Sequence, residues 1–252
     1  MPQYRAPTRD IRFVINEVLE SEKLYKTLPG CEEATEDLMN AIVEEGGKFA
    51  EEVIAPLYQG GDEEGCTWSE EGVKTPEGFA DAYRQYVENG WPSLSADVEH
   101  GGQGLPNLLG IIMNELSGTA NWAWAMYPGL SHGAVHTIEE HGNEEQKKNY
   151  LTKLVSGEWT GTMCLTESHC GSDLGLLRSK AEPQADGRYA FTVTKIFISA
   201  GEQDMAENIV NIVLARLPDA PEGTKGISLF IVPKFNVNED GSLGDRNAVQ
   251  CD

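Results

Sequence analysis

Apolar side chains recur at a helical period through the first part of the chain and give way to short β-rich runs after Gly157. Leu38, Ile42, Phe49 and Val53, with Ala41 and Ile54 beside them, draw an apolar stripe on a segment whose other face carries Glu44, Lys48, Glu51 and Glu52. That is the pattern of an amphipathic helix. Pro56 is expected to end it, because proline has no N–H for the helical ladder. Thr75-Pro76-Glu77 reads as a cap with proline at the first helical position, and Asn89-Gly90 closes the helix that holds Phe79, Tyr83 and Val87. Asn143-Glu144-Glu145-Gln146 has the spacing of a capping box, and its helix runs through Tyr150, Leu151, Leu154 and Val155 to Ser156-Gly157. Residues 108–116 and 134–140 are compatible with helices between these.

Beyond Gly157, residues 160–166, 177–181, 189–192, 195–199, 208–216 and 227–232 are short runs rich in Thr, Val, Ile and aromatics, and each predicts a strand. Asp186-Gly187 is the expected turn of a hairpin between two of them. Helices followed by strands, without βαβ alternation, predict an α+β chain: an all-α domain, then a separate antiparallel β domain. Asp62 to Gly65 and residues 219–225 are the expected exposed loops.

Composition narrows the classes of function. The 252 residues suit one large domain or two smaller ones. Forty-one acidic and 19 basic side chains give a net charge of −22, with the surplus heavier in the first 100 residues. Such a surface repels a polyanion, and there is no Lys/Arg run to make a local exception, so nucleic acid is excluded as a partner. Hydrophobic residues at 40%, with five Trp and eight Tyr, supply a packed core and argue against disorder. No apolar run approaches the roughly 18 residues that span a bilayer, and no secretory leader is signalled. Arg5, Arg9 and Arg12 hint at an organellar presequence, but Asp10 and the acids from Glu17 onward oppose it. The five cysteines (Cys31, Cys66, Cys164, Cys170, Cys251) are odd in number, scattered and without a C-x-x-C pair, which fits reduced thiols in the cytoplasm.

Two stretches carry candidate chemistry. Met163 to Asp173 is a strand running into a turn of small residues, where Thr166, Ser168 and Ser172 offer hydroxyls and the backbone at Gly171 can approach a ligand closely. Lys195 to Glu202 places Phe197 and Ser199 two residues apart, so that on a strand they share a face, one packing on a flat ring and the other bonding to its edge. Taken singly, each suits a structural turn or core strand better than a site.

Other features read as structural. His132, His136 and His141 fall near helical spacing but lack an acidic third ligand, so no metal site is expected. Gly101-Gly102-Gln103-Gly104 does not follow a strand in a βαβ unit and is no dinucleotide fingerprint. Glu167 is better suited to bracing its turn than to acting as a base. Ser156, Ser168 and Ser172 lack a nucleophile elbow, which leaves hydrolysis without support. Cys164 and Cys170 are expected to be small buried residues.

Together the two stretches are more specific. Thr166-Glu167 followed by Gly171-Ser172-Asp173, and then by Lys195-Ile-Phe197-Ile-Ser199, resembles the flavin-binding segments of the acyl-CoA dehydrogenase family in order and spacing. The likeness extends to Tyr4 through Asp10, Ala55-Pro56 with Gly61-Asp62, His100 through Gly104, Ala125 through Gly129, Ser156 through Thr166 and Thr224 through Lys234, in the subgroup with an N-terminal extension. It covers essentially the whole chain. The match from Tyr4 onward also argues that the arginine-bearing start is mature protein.

The resemblance implies an extension over residues 1–35, a helical domain over 36–158 and a barrel-like antiparallel β domain over 159–252. It implies FAD as cofactor, held by Met163, Leu165, Thr166, Gly171, Ser172, Phe197, Ile198 and Ser199. Thr166 would sit near the pyrimidine edge, Phe197 against the isoalloxazine and Ser199 near the reactive nitrogen, and Ser172 would reach FAD or the bound thioester. Two departures stand out. Where the family commonly has Pro after the Thr-Glu pair and a small residue before Gly-Ser, this chain has Ser168 and Cys170, with His169 between.

The implied activity is α,β-dehydrogenation of an acyl-CoA, with an electron-transferring flavoprotein as acceptor and a homo-oligomeric assembly. In the family the glutamate base and its helical bundle follow the β domain, so none of the residues here is expected to be the catalytic base. The chain alone is expected to be inactive and to hold FAD weakly or not at all. A partner-binding or assembly module, and an acyl-CoA oxidase or flavin monooxygenase on the same scaffold, are the alternatives.

Overall fold

The hydroxyl of Thr35 accepts the Leu38 amide and caps the first long helix, α3 (Glu36–Phe49), which follows two short helices, α1 (Thr8–Phe13) and α2 (Ser21–Tyr25). The computed structural model describes residues 3–251; Met1, Pro2 and Asp252, the outer ends of the expected extension and β domain, lie outside them. Helix α3 buries Met39, Val43, Gly46 and Phe49, so the buried face lies about one residue round from the stripe drawn through Leu38 and Ile42, and Ala41 is exposed.

Pro56 does not end the run. One π-turn over Ala50–Ile54 realigns the backbone, and Pro56 in αR geometry then caps α4 (Leu57–Glu64). As the residue ahead of a new helix it needs no N–H. Asp62 to Glu64 are therefore helical rather than loop, and the turn begins at Gly65 with φ 67°.

A small hairpin, β1 (Thr67–Ser69) and β2 (Gly72–Lys74), was not foreseen. Nor is Thr75 the cap of the next helix. That helix, α5 (Phe79–Glu88), starts after Gly78, and Thr75 is buried with its amide and hydroxyl both donating to Asp204, at 3.1 and 2.6 Å. Helices α6 (Asn107–Ala120), α7 (Trp122–His141) and α8 (Glu144–Ser156) complete the helical domain, and α8 carries the expected capping box, with Gln146 and Asn143 bonding reciprocally. Ile11 and Ile15 of the extension join the core of α3, α5, α6 and the start of α7.

The rest of the chain is a curled mixed sheet of β3 (Trp159–Cys164), β4 (Lys180–Pro183), β5 (Tyr189–Thr192), β6 (Asn208–Arg216) and β7 (Ile227–Pro233), followed by the pair β8 (Phe235–Val237) and β9 (Leu243–Arg246). The α+β class holds. Pairing is antiparallel for β4/β5 and β6/β7, as expected of the whole sheet, but β3 runs parallel to β6 from Trp159↔Asn208 to Cys164↔Val213. β4 also meets β6 in parallel, at Lys180↔Arg216. A strand has two edges, and β7 covers one of them over Val210–Arg216, so β3 and β4 share the other. Residues 165–179 are thus an excursion that leaves one edge of β6 and returns to it.

Residues 195–199 are not a strand. The segment is irregular, and Phe197 and Ala200 both have φ of 57°.

The sheet meets the helices where β3 lies on α7. The Gly161 amide donates to Ser131 Oγ at 3.0 Å, and a Cβ at Gly161 would come 2.3 Å from that of Ala134. Gly161→Ala is therefore expected to lower stability by about 1–3 kcal/mol through overpacking. An unchanged urea midpoint for that variant would show that the two elements are not in close contact.

Candidate functional site

The first candidate segment leaves β3 at Cys164 and turns sharply through a Glu167–Cys170 bridge, in which each amide donates to the other's carbonyl. The buried carboxylate of Glu167 organises this turn. Its Oε1 accepts from Lys195 Nζ at 2.8 Å, from the Ser179 amide at 3.1 Å and from the Ser179 hydroxyl, while Oε2 accepts from the Arg178 amide at 2.9 Å. The ion-paired side chains of Lys195 and Glu167 are 5% and 6% exposed. Burial alone would raise the Glu167 carboxyl, but the bonds from Lys195, Ser179 and the two amides outweigh it and hold the group down at about 2. Glu167 braces the turn and does not accept protons at neutral pH.

His169 extends the brace, with Nε2 at 3.0 Å from the Leu176 carbonyl and 3.5 Å from Glu167 Oε2. Ligand-type atoms of Glu167, His169 and Cys170 lie within 4.8 Å of one another. With the carboxylate already neutralised by Lys195 and saturated with donors, the trio reads as a structural knot rather than a metal centre. Burial, opposed weakly by Lys195, raises the Cys164 thiol to about 11, so it is no thiolate nucleophile.

The second segment lies alongside the first. The Ile196 amide donates to the Thr166 carbonyl at 2.9 Å, Lys195 Nζ to the Leu165 carbonyl at 3.1 Å, and Thr162 Oγ1 to the Ser199 carbonyl at 2.6 Å. The two stretches singled out in the sequence are therefore neighbours in space. Between them Phe197 stands 89% exposed at its left-handed φ. Met163 is exposed as well, Leu165, Thr166, Gly171, Ile198 and Ser199 are half-buried, and Ser172 is exposed. Thr166 and Gly171 are in close contact: a Cβ on the glycine would be 3.2 Å from Thr166 Cγ2. Since residues 196–199 are not extended, Phe197 and Ser199 do not share a strand face; what brings them to the same place is the turn.

A flat aromatic ligand with polar edges fits this arrangement. Among the described residues the hydroxyls of Thr166, Ser172 and Ser199 engage no hydrogen-bond partner, and the exposed ring of Phe197 and thioether of Met163 offer apolar surface beside them.

The Ser172 turn connects to a second feature. Arg216 donates to the carbonyls of Gly175 at 3.0 Å, Leu177 at 2.8 Å and Pro221 at 3.0 Å, tying the turn to the loop after β6. That loop borders a cleft of about 440 Å³, lined in part by Tyr189, Pro218, Asp219, Lys225 and Ser228.

Sequence reasoning quoted Lys195 only as the head of its segment and gave Ser179 and Arg216 no role. A signal was present for Lys195 and its partner Glu167, but not for Ser179 or Arg216. A lone lysine before Ile-Phe-Ile and a lone glutamate among small residues are charges on their way into a core, where they need a partner.

Comparison with known proteins completes the picture. Residues 36–158 match the family model described as acyl-CoA dehydrogenase, N-terminal domain. The chain is 46% identical to the 3-methylmercaptopropionyl-CoA dehydrogenase of Ruegeria pomeroyi, over 98% of this chain and 42% of that protein. It is 36% identical to a butyryl-CoA dehydrogenase of Syntrophomonas wolfei, over 98% of this chain and 41% of that one. The chain thus spans about two fifths of the length of these relatives. Among solved structures, an acyl-CoA dehydrogenase from Bacillus anthracis complexed with FAD superposes with a TM-score of 0.64 at 25% identity, covering 81% of this chain and 32% of that one. No helix among the described residues is long and apolar enough to cross a membrane.

Proposed function

The chain belongs to the acyl-CoA dehydrogenase family, and we propose that it forms the flavin-binding part of an enzyme that dehydrogenates an acyl-CoA thioester between its α and β carbons. The observation that carries this reading is the juxtaposition of residues 163–172 and 195–199, with Phe197 exposed beside the unengaged hydroxyls of Thr166, Ser172 and Ser199. FAD, when bound, would take the hydride from the β-carbon.

The protein's own groups hold and orient. Phe197 packs on the ring, Thr166 and Ser199 bond to its polar edges, and Ser172 reaches the cofactor or the thioester. Glu167 is not the base for the α-proton, since its carboxyl is held at about 2 and its oxygens are already hydrogen-bonded. On this reading the chain binds cofactor and thioester without supplying that base. The relatives' names make short acyl-CoAs, methylmercaptopropionyl and butyryl, the first substrates to test, and an electron-transferring flavoprotein is the acceptor we propose. A net charge of −22 opposes CoA at long range, so attraction comes from local hydrogen bonds.

Titration of the chain with FAD, carried to concentrations that reveal weak binding, tests the reading. Phe197→Ala is expected to weaken FAD binding about tenfold, the scale of a lost aromatic stacking contact, while leaving the melting temperature unchanged because the side chain is almost wholly exposed. Equal affinity for wild type and variant would remove Phe197 from the site.

A further inference from the structure

We propose that the buried Lys195–Glu167 pair is the positioning device of the flavin site: it locks the two segments together and fixes the turn that presents Phe197 and Ser199. The inference rests on the flavin reading above and adds to it a residue pair that touches no ligand.

Three bonds join the head of the second segment to the first, all within residues 165–167. They are Lys195 Nζ to the Leu165 carbonyl, Lys195 Nζ to Glu167 Oε1, and the Ile196 amide to the Thr166 carbonyl. The lysine thus grips the main chain on one side of Thr166 and a side chain on the other, which fixes the orientation of Thr166 itself. Glu167 is in turn fixed to the approach of β4 by Arg178 and Ser179. Directly after this anchor the backbone enters the left-handed region at Phe197 and again at Ala200. For residues other than glycine that conformation costs on its own, so the turn persists only because its ends are held. The far end is held by Thr162 on the Ser199 carbonyl and by buried Gln203, whose Nε2 donates to Thr160 Oγ1 at 2.9 Å.

A buried ion pair is a poor device for stability alone, since apolar replacements of both partners are often neutral or better. Directional bonds from one ammonium to a carbonyl and a carboxylate give what apolar packing does not, a fixed register between two segments nearly thirty residues apart in the chain.

The test compares wild type, Lys195→Met and the double variant Glu167→Gln/Lys195→Met, which removes both charges and guards against misfolding of the single variant. Two quantities are read: amide hydrogen exchange, and the dissociation constant for FAD. In both variants, exchange at residues 196–201 is expected to accelerate at least tenfold more than exchange in strand β6, and FAD binding is expected to weaken at least tenfold. Unchanged exchange at 196–201, or uniform acceleration across the chain, overturns the proposal. So does faster exchange in the turn with undiminished FAD affinity. If wild type binds FAD but the variants that loosen the turn bind it equally well, the positioning role fails and the flavin reading stands; if wild type binds too weakly to measure, the exchange arm decides, and exchange at 196–201 that is no faster than in wild type overturns the proposal.

Discussion

Glu167→Ala is expected to lower the unfolding free energy by about 3–5 kcal/mol at neutral pH, because it leaves the ammonium of Lys195 buried without its partner. The carboxylate lies 2.8 Å from Lys195 Nζ, and both side chains are almost fully buried. The same conclusion follows from titration. Against the upward push of burial, the bonds from Lys195, Ser179 and the two amides hold the carboxyl at about 2 in the folded protein, below its ordinary 4.5, so the ionised form stabilises the fold. The sign is fixed by that depression: the contribution is complete above pH 4.5 and is lost as pH falls toward 2. Urea unfolding of wild type and variant should therefore differ most at pH 7 and converge toward pH 2. A difference that persists undiminished at pH 2 to 3 would mean that the carboxylate's charge is not what stabilises the turn. A second substitution, Lys195→Met, should recover part of the loss in the Glu167→Ala background, since it removes the stranded charge.

How far the sequence could reveal this site depends on whether the determinants are local. The capping box at Asn143 and Gln146 was legible because four consecutive residues close it, and the Asp186-Gly187 turn because a glycine supplies φ 84° where it is needed. The parallel pairing of β3 with β6 was not legible, because it depends on the excursion at 165–179 returning to the same edge, which no alternation of side chains encodes. The conformation of residues 195–199 was misread for a physical reason. Lys-Ile-Phe-Ile-Ser has high β-propensity, but long-range bonds to Thr162, Thr166 and Glu167 override it and force Phe197 and Ala200 into a region that propensity does not favour. Thr75 was read as a cap for a similar reason: its hydroxyl suits the Asp204 carboxylate, distant in sequence, as well as it suits a helix end. The adjacency of the two candidate segments follows in the sequence only from the resemblance to the family's flavin-binding segments, and the bonds of Lys195 and Ile196 to residues 165–167 bring them together.

Trp124→Ala is expected to cost about 3–5 kcal/mol, as for other large aromatics removed from a core, and to lower the melting temperature by roughly 6–20 °C for a chain of this size. The indole is fully buried, donates to the Phe79 carbonyl at 3.2 Å and packs edge-on against Tyr86 and Phe49, with ring centroids at 5.5 and 6.5 Å. Its amide bond to the Asn121 cap involves only backbone on this side and survives truncation, so the loss is one of packing and of a single buried donor. Trp124 also lies at one end of the only element that contributes to both core clusters among the described residues. Helix α7 gives Trp124 and Ala125 to the core shared with α3 and α5, and Ala134, Val135 and Ile138 to the core shared with Trp159, Val210 and Ile212 of the sheet. A helix that contributes to both cores, although Pro128 interrupts its hydrogen-bond ladder between them, should make them unfold together. Hydrogen exchange of the β6 amides in Trp124→Ala should then lose protection by the same free energy that denaturation measures, although no atom of Trp124 belongs to the sheet's core. Wild-type protection in β6 alongside a destabilised helical domain would show instead that the mixed sheet keeps its own stability.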